Sequence, residues 1–388
     1  MIELHRRHFL AASGAAAASG VQASVPALAS ASATWRVLGI APASQKLPAL
    51  AAEYTRGVEL GLAHAGAAVQ VTWLSAGSLP SAPAKVIASA LQQRRVDALM
   101  GWIPPLLSKK LAPLAQKAEV PLWISDTGAD LAEPSATGAS SARHTLELCA
   151  MASALADKVH AQCGPRAFLS LGWHESGYDF VQAFQDRWHS LGGQIMGRHI
   201  AGVPGQVHEF GDLKQAIVSV QPDVVVALHS GLQAARFSQW WQNQKPLLRA
   251  ELAGFPWLTA RTSGVRAWTV MSWPSIELAE PAWAAHFRQA DLPWNAAALL
   301  GAEAGASFGA ALAATAPGSK EIWTVLRSSP LSGPRGERQW ALAGNDSTGP
   351  LWERPAAHVH ARPLNAANRP LPASAAARGG WTTGYFLT

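Results

Sequence analysis

Three short clusters carry the side chains best suited to holding a small molecule. Ser125-Asp126-Thr127 sets two hydroxyls beside a carboxylate. Trp173-His174-Glu175-Ser176-Gly177-Tyr178 gathers an acid, an imidazole and two aromatic rings, and His229-Ser230 closes a strongly apolar run. Hydroxyls and backbone N–H groups can take a ligand carboxylate, while an acid or an aromatic face can take an ammonium. Ser125 and Thr127 suit the first task; Asp126, Glu175, Trp173 and Tyr178 suit the second. Trp102, Phe255 and Trp273 add rings just past apolar runs, which suits an apolar or aromatic ligand. Ser, Thr and Asp are also favoured helix N-caps, so a structural role stands beside several of these assignments.

Nothing in these clusters spells out catalysis. The chain has no G-x-S-x-G, P-loop, G-x-G-x-x-G or C-x-x-C-H, and no Ser/His/Asp set is singled out by spacing. His174-Glu175 and His358-Val359-His360 place potential metal ligands together, but no third ligand lies at a diagnostic spacing. The expectation is a binder with no catalytic residue, metal or cofactor.

The elements that must position these clusters alternate. Residues 96–101 form a short apolar run, a loop with Pro104-Pro105 and a helical stretch follow, and Val120-Pro121-Leu122-Trp123-Ile124 leads into Ser125. Pro113 inside the helical stretch is expected to split it into two short helices. Uninterrupted apolar runs suit buried parallel strands, and ligands of open parallel sheets sit beyond the strands' carboxyl ends. Further strands are expected at 35–40, 69–74, 166–171, 194–200, 222–228, 249–253 and 265–272, with helices between them. This order defines an α/β protein. Residues 132–142, rich in Ala, Ser, Gly and Pro, read as a crossover between lobes, with one helix over 143–162 after it. That helix would hold Cys149 and Cys163 about 21 Å apart, too far for a disulfide. Two free thiols are expected.

The chain has 388 residues, 49% of them hydrophobic, ample for two domains. Its net charge of +6 is spread over separated pairs such as Arg94-Arg95 and Lys109-Lys110, which argues against a nucleic-acid partner. No stretch reads as the ~20 apolar residues of a membrane span. Residues 1–33 read as a twin-arginine export signal: Arg6-Arg7 precede Phe9-Leu10 and an Ala-rich stretch, and Ala29-Ser30-Ala31 and Ala31-Ser32-Ala33 are small-x-small cleavage sites. Cleavage near Ala31 or Ala33 would deliver the protein to the periplasm. Loss of Arg6, Arg7 and Glu3 would leave a net charge of 6 − 2 + 1 = +5.

With the elements in order, the chain resembles the type I periplasmic binding proteins, in the branch serving branched-chain amino-acid, amide and urea ABC importers. The likeness is carried by Arg56-Gly57-Val58-Glu59-Leu60, residues 96–101, Ala112-Pro113-Leu114-Ala115 before Val120-Pro121, Ser176-Gly177-Tyr178, Gly192-Gly193, Pro222-Asp223-Val224-Val225 and Leu331-Ser332-Gly333-Pro334-Arg335-Gly336. It spans about residues 35–345. The resemblance implies two parallel-sheet α/β lobes joined by three crossovers, a small polar or amphipathic ligand in the cleft between them, and permease subunits of an ABC importer as partners. It also implies a monomer that closes by a hinge motion. A sensor of the same fold, or an exported enzyme, is the alternative. Lobe 1 would be 34–142 plus 255–315, lobe 2 would be 143–254 plus 319–361, and 362–388 would be an extended tail. Two departures bear on the ligand. Residues 75–80 lack the acids common in the family's second-strand loop, and Gly254-Phe255-Pro256-Trp257 lacks the carboxylate that holds an amino acid's ammonium. Both argue against a plain amino acid.

Overall fold

The computed structural model describes residues 34–76, 81–130, 141–259, 264–328, 330–340, 347–356, 358, 360–364 and 384–387. The expected export signal at 1–33 lies outside the described residues, as does most of the expected 132–142 crossover. The first half runs β1 (Trp35–Pro42), α1 (Leu50–His64), β2 (Val69–Ala76), α2 (Ser81–Gln92), β3 (Ala98–Trp102), α3 (Pro105–Ala118), β4 (Leu122–Asp126) and β5 (Ser141–Thr145). The second half begins α4 (Leu148–Cys163), β6 (Arg166–Gly172), α5 (Asp179–Ser190), β7 (Gln194–Ala201), α6 (Leu213–Val220), β8 (Val224–Leu228), α7 (Gly231–Gln244), β9 (Glu251–Gly254) and β10 (Trp268–Met271). It continues with α8 (Pro281–Gln289), α9 (Ala296–Ala313), α10 (Ile322–Ser328), β11 (Gln339–Trp340), β12 (Ser347–Thr348), β13 (Trp352–Arg354) and β14 (Arg362–Pro363).

Two sheets organise the chain. The first is parallel, in the order β2-β1-β3-β4-β5, and the second runs β14-β13-β10-β9-β8-β6-β7. In the second, β6 to β10 are parallel and β13 and β14 add an antiparallel edge. Strands β3, β4 and β8 are buried along their whole length, as their continuous apolar runs require of interior parallel strands. Edge strand β2 alternates between more and less covered residues.

Helix α9 is the centre of the first lobe. Its small residues let it lie backbone to backbone on α1. A Cβ at Gly57, Gly61, Gly301 or Gly305 would stand 2.2–2.3 Å from a carbonyl oxygen of the facing helix. The helix is long and apolar enough by composition to cross a membrane, contrary to the sequence expectation, but it is 78% buried inside the protein. Its single charge, Glu303, is ion-paired in the interior.

Several expectations change. Residues 143–146 are not helical: Ser141–Thr145 is strand β5, paired in parallel with β4. Alternation decides this, since Arg143 reaches Asp126 on one side while His144 reaches Ser125 on the other. The helix starts only at Leu148, after Glu147 takes a left-handed φ of 57°. Cys149 and Cys163 both lie on α4 and both are free thiols. Pro113 does not split α3, because buried Leu107, Leu111, Ala112 and Ala115 hold both halves of one helix against a cost of about 3 kcal/mol for an internal proline. The lobe boundaries shift as well. Strand β5 belongs to the first sheet, while Trp268–Met271, read as part of lobe 1, is a strand of the second. Helix α10, read as lobe 2, packs on α9. Among the described residues of 358–361 none is in a strand, and the antiparallel edge is made by Arg362–Pro363. The C-terminal residues 384–387 are not a solvated extension, since Tyr385, Phe386 and Leu387 are buried.

Candidate functional site

The carboxyl ends of the two sets of parallel strands face each other. From the first lobe come the loop after β1 with Lys46, Trp102 to Pro104 after β3, and Asp126 to Ala129 after β4. From the second come Trp173 to Tyr178 after β6, His229-Ser230 after β8, and Phe255 to Trp257 after β9. The lobes touch where these loops meet. Lys46 Nζ lies 3.0 Å from Glu175 Oε1, and the Phe180 N–H donates to the Ala129 carbonyl at 3.0 Å.

Glu175 is the polar centre of this edge. It is fully buried, pairs with Lys46 across the lobes, and accepts hydrogen bonds from the hydroxyls of Ser230 and, at 3.4 Å, Tyr385. Burial opposes its ionisation, but Lys46 and the Ser230 hydrogen bond outweigh that and hold its carboxyl below the usual range. An aromatic wall surrounds it. Tyr178 and Phe180 stack with centroids 6.0 Å apart, Phe180 meets Phe255 at 5.3 Å, and Phe255 meets Trp257 at 5.0 Å. Trp102, on the first lobe, packs on Tyr54 at 5.4 Å and meets the wall through Phe386, which lies 6.5 Å from Trp102 and 5.3 Å from Trp257. His174 lies beside Tyr178, and burial lowers its pKa to about 4, so its ring is neutral at pH 7.

The structure therefore brings together Trp102, Glu175, Tyr178, Ser230 and Phe255. Other residues named from the sequence are turned elsewhere. Ser125 sits in the first lobe's interior, accepting from the Tyr54 hydroxyl at 2.8 Å and lying 2.6 Å from His144 Nε2. Asp126 is paired with Arg143 at 2.7 Å and caps the backbone N–H of Gly128. Thr127 accepts the Ala129 N–H through its own hydroxyl. His229 packs into the second lobe's core, stacked on Phe237 at 4.7 Å, with Nε2 at 2.9 Å from Ser170 Oγ and Nδ1 at 3.4 Å from Gln233 Oε1. Trp273 is buried in the large core, and Trp173 is 41% exposed. Lys46, Phe180 and Trp257 were not singled out in the sequence. Lys46 had a signal, because its loop follows the carboxyl end of a parallel strand.

Behind the cleft the crossovers are tied by buried charges. Arg335 donates to Glu303 on α9, to the Thr145 carbonyl at the first crossover and to Ser272 Oγ at the second. Arg338 pairs with Glu147 at 2.5 Å and lies 3.5 Å from Glu303. His144 Nδ1 reaches Glu303 at 2.9 Å. With its proton on Nδ1, Nε2 accepts from Ser125, which accepts in turn from Tyr54. Burial lowers the His144 pKa to about 4, so the ring is neutral, while the two guanidiniums and His144 hold the Glu303 carboxyl ionised well below the usual range despite its burial. No group of three or more metal-ligating side chains occurs among the described residues.

No family model matches the sequence, and no curated protein does. Solved structures do match the fold. A solute-binding protein of an ABC transporter from R. palustris, in complex with benzoate, superposes with a TM-score of 0.70 at 20% identity, covering 86% of this chain and 96% of that one. A second from R. palustris, in complex with 4-hydroxybenzoate, gives 0.68 at 15% identity over 85% and 97%. A leucine-binding protein from Thermotoga maritima gives 0.67 at 16% identity over 86% and 98%. The fold is thus that of the two-lobed type I periplasmic binding proteins.

Proposed function

We propose that the chain is an exported solute-binding protein. It captures a small aromatic or amphipathic molecule between its lobes and passes it to the permease subunits of an ABC importer. The observation that carries this reading is the cleft itself: aromatic side chains from both lobes around one ion pair that joins them, Lys46–Glu175. A ring would pack between Trp102 and the Phe180–Phe255–Trp257 wall. Its polar end would meet Lys46 if it is a carboxylate, or Glu175 and Ser230 if it is a donor such as a phenol or an amide. The absence of an acid at residues 254–257 and the benzoates held by similarly folded proteins both favour an aromatic acid over an aliphatic amino acid. The twin-arginine-type segment at 1–33 supports a periplasmic site of action.

Isothermal titration of the purified protein with benzoate, 4-hydroxybenzoate, phenylalanine, leucine and urea tests the assignment. Saturable binding of an aromatic acid without product is the expected result. Turnover of any of these compounds would overturn it, as would binding confined to urea or leucine.

A further inference from the structure

The chain ends in a burst of apolar residues, Gly384-Tyr385-Phe386-Leu387, after a stretch rich in Ala and Pro. Such a burst is costly to leave in water. Here Tyr385, Phe386 and Leu387 are only 1%, 5% and 2% exposed. They are buried in the cleft.

The contacts come from both lobes. On the second-lobe side, the Tyr385 ring lies 5.6 Å from His174, 5.1 Å from Tyr178 and 5.3 Å from Phe180. The Phe386 ring meets Trp257 at 5.3 Å. On the first-lobe side, Phe386 lies 6.5 Å from Trp102, and a Cβ at Gly384 would stand 2.7 Å from Pro104, so the backbone itself is pressed against that loop. The Tyr385 hydroxyl donates to Glu175 Oε1 at 3.4 Å, beside the Ser230 hydroxyl that donates to the same oxygen. Burial and the neighbouring carboxylate raise the phenol's pKa well above its ordinary value, so it stays protonated and able to donate. The tail therefore uses the same aromatic wall and the same carboxylate that the cleft would offer to a ligand.

We propose that Tyr385 and Phe386 hold the place of the ligand as a built-in competitor, and that an incoming aromatic molecule must displace them. This rests on the ligand site proposed above. A tethered occupant lowers apparent affinity by the fraction of molecules whose cleft is free. It also keeps an empty cleft from presenting bare aromatic surface. A ligand bearing a phenol displaces the tail most readily, because it replaces the hydrogen bond to Glu175 as well as the ring contacts.

Three proteins test this: the full chain, a chain ending at residue 383, and a full-length Tyr385→Ala/Phe386→Ala variant. Each is titrated with 4-hydroxybenzoate and benzoate, and the shortened chain also with the synthetic pentapeptide Gly-Tyr-Phe-Leu-Thr. Both altered proteins are expected to bind an aromatic acid at least about tenfold more tightly than the full chain. The shortened chain should bind the pentapeptide saturably, and the full chain should not. Equal or weaker ligand binding in both altered proteins would overturn the proposal, placing the tail in the ligand-binding wall or in the structural core. A shortened chain that does not fold, paired with a double variant that folds and binds no more tightly, would do the same. If no aromatic acid binds any of the three, the transport reading fails by itself. The competitor then stands or falls on whether the pentapeptide binds the shortened chain.

Discussion

The cleft and the hinge behind it both bury charge, but they satisfy it differently. At the hinge, Glu303 is held by Arg335, Arg338 and His144, and Arg338 is held again by Glu147. In the cleft, Glu175 is held by a lysine of the opposite lobe and by hydroxyls, one of them on the C-terminal tail. Hinge partners cannot leave without exposing a buried guanidinium, whereas the proposed ligand would take the place of cleft partners. Permanence in one place and replaceability in the other is what a two-lobed binder needs, since the crossovers must keep their registry while the lobes close.

The sharpest way to break this contrast is at Glu303. Glu303→Gln keeps the shape and removes the charge, leaving Arg335 and Arg338 with Glu147 as their nearby carboxylate. Removing one partner of a buried ion set costs about 3–5 kcal/mol, to be read as a lower urea midpoint with an unchanged slope. A loss below about 1 kcal/mol would mean that the hinge charges are solvated in solution and that the contrast is false. Residues 296–314 already pointed here, because Glu303 is their only charged residue. A lone charge in an apolar helix must find a partner. The partner was not legible, since Arg335 and Arg338 lie over thirty residues away in a loop of unremarkable composition.

The pH responses of the molecule should also split. His144, His174 and His229 have pKa values lowered to about 4 by burial. A group whose folded pKa lies below its unfolded value of 6.5 stabilises the fold above pH 6.5 and loses that contribution as pH falls towards 4. For the fully buried His144 and His229 the loss is up to about 3 kcal/mol each. Asp130, beside the lobe contact, behaves in the opposite sense. Burial and the nearby Asp179 and Asp126 raise its pKa to about 8, so its contribution is complete below pH 3.8 and is lost as pH rises through 8. Chemical denaturation across pH 4–9 should show both limbs. Asp130→Asn should remove the fall in stability between pH 6.5 and 8 and steepen the acid limb, where Asp130 opposes the histidines; an unchanged slope between pH 6.5 and 8 would remove Asp130 from the account.

Cleft substitutions should act on binding before stability. In the Tyr385→Ala/Phe386→Ala background, where the tail does not compete, Tyr178→Ala removes the ring that Phe180 packs on and should weaken aromatic-acid binding by more than about 1 kcal/mol, measured by titration. Unchanged affinity would move the site away from the Glu175 edge. Strands β3, β4 and β8 and the α/β alternation were readable, because continuous apolar runs are local signals. Two things were not. Strand β5 reads as a helix start until β4 is there to pair with it. Ser125 and His229 sit at strand ends yet point into the lobes, because the direction of a side chain at a strand end is set by the pleat and by partners such as Tyr54 and Ser170. No local pattern contains that.

Trp173 carries the smallest prediction and marks where the cleft stops. It follows β6, as the binding-edge rule asks, but its side chain is 41% exposed while its carbonyl accepts from Ser176 Oγ and its N–H donates to Ala201. Its backbone therefore shapes the turn that delivers Glu175. Trp173→Ala should cost less than Tyr178→Ala in both stability and affinity, because its side chain is 41% exposed while Tyr178 is buried. A larger loss of affinity with unchanged stability would mean that the indole folds over the bound ligand. The replaceable region would then extend to the rim of the second lobe, rather than ending at the wall of Tyr178, Phe180 and Phe255.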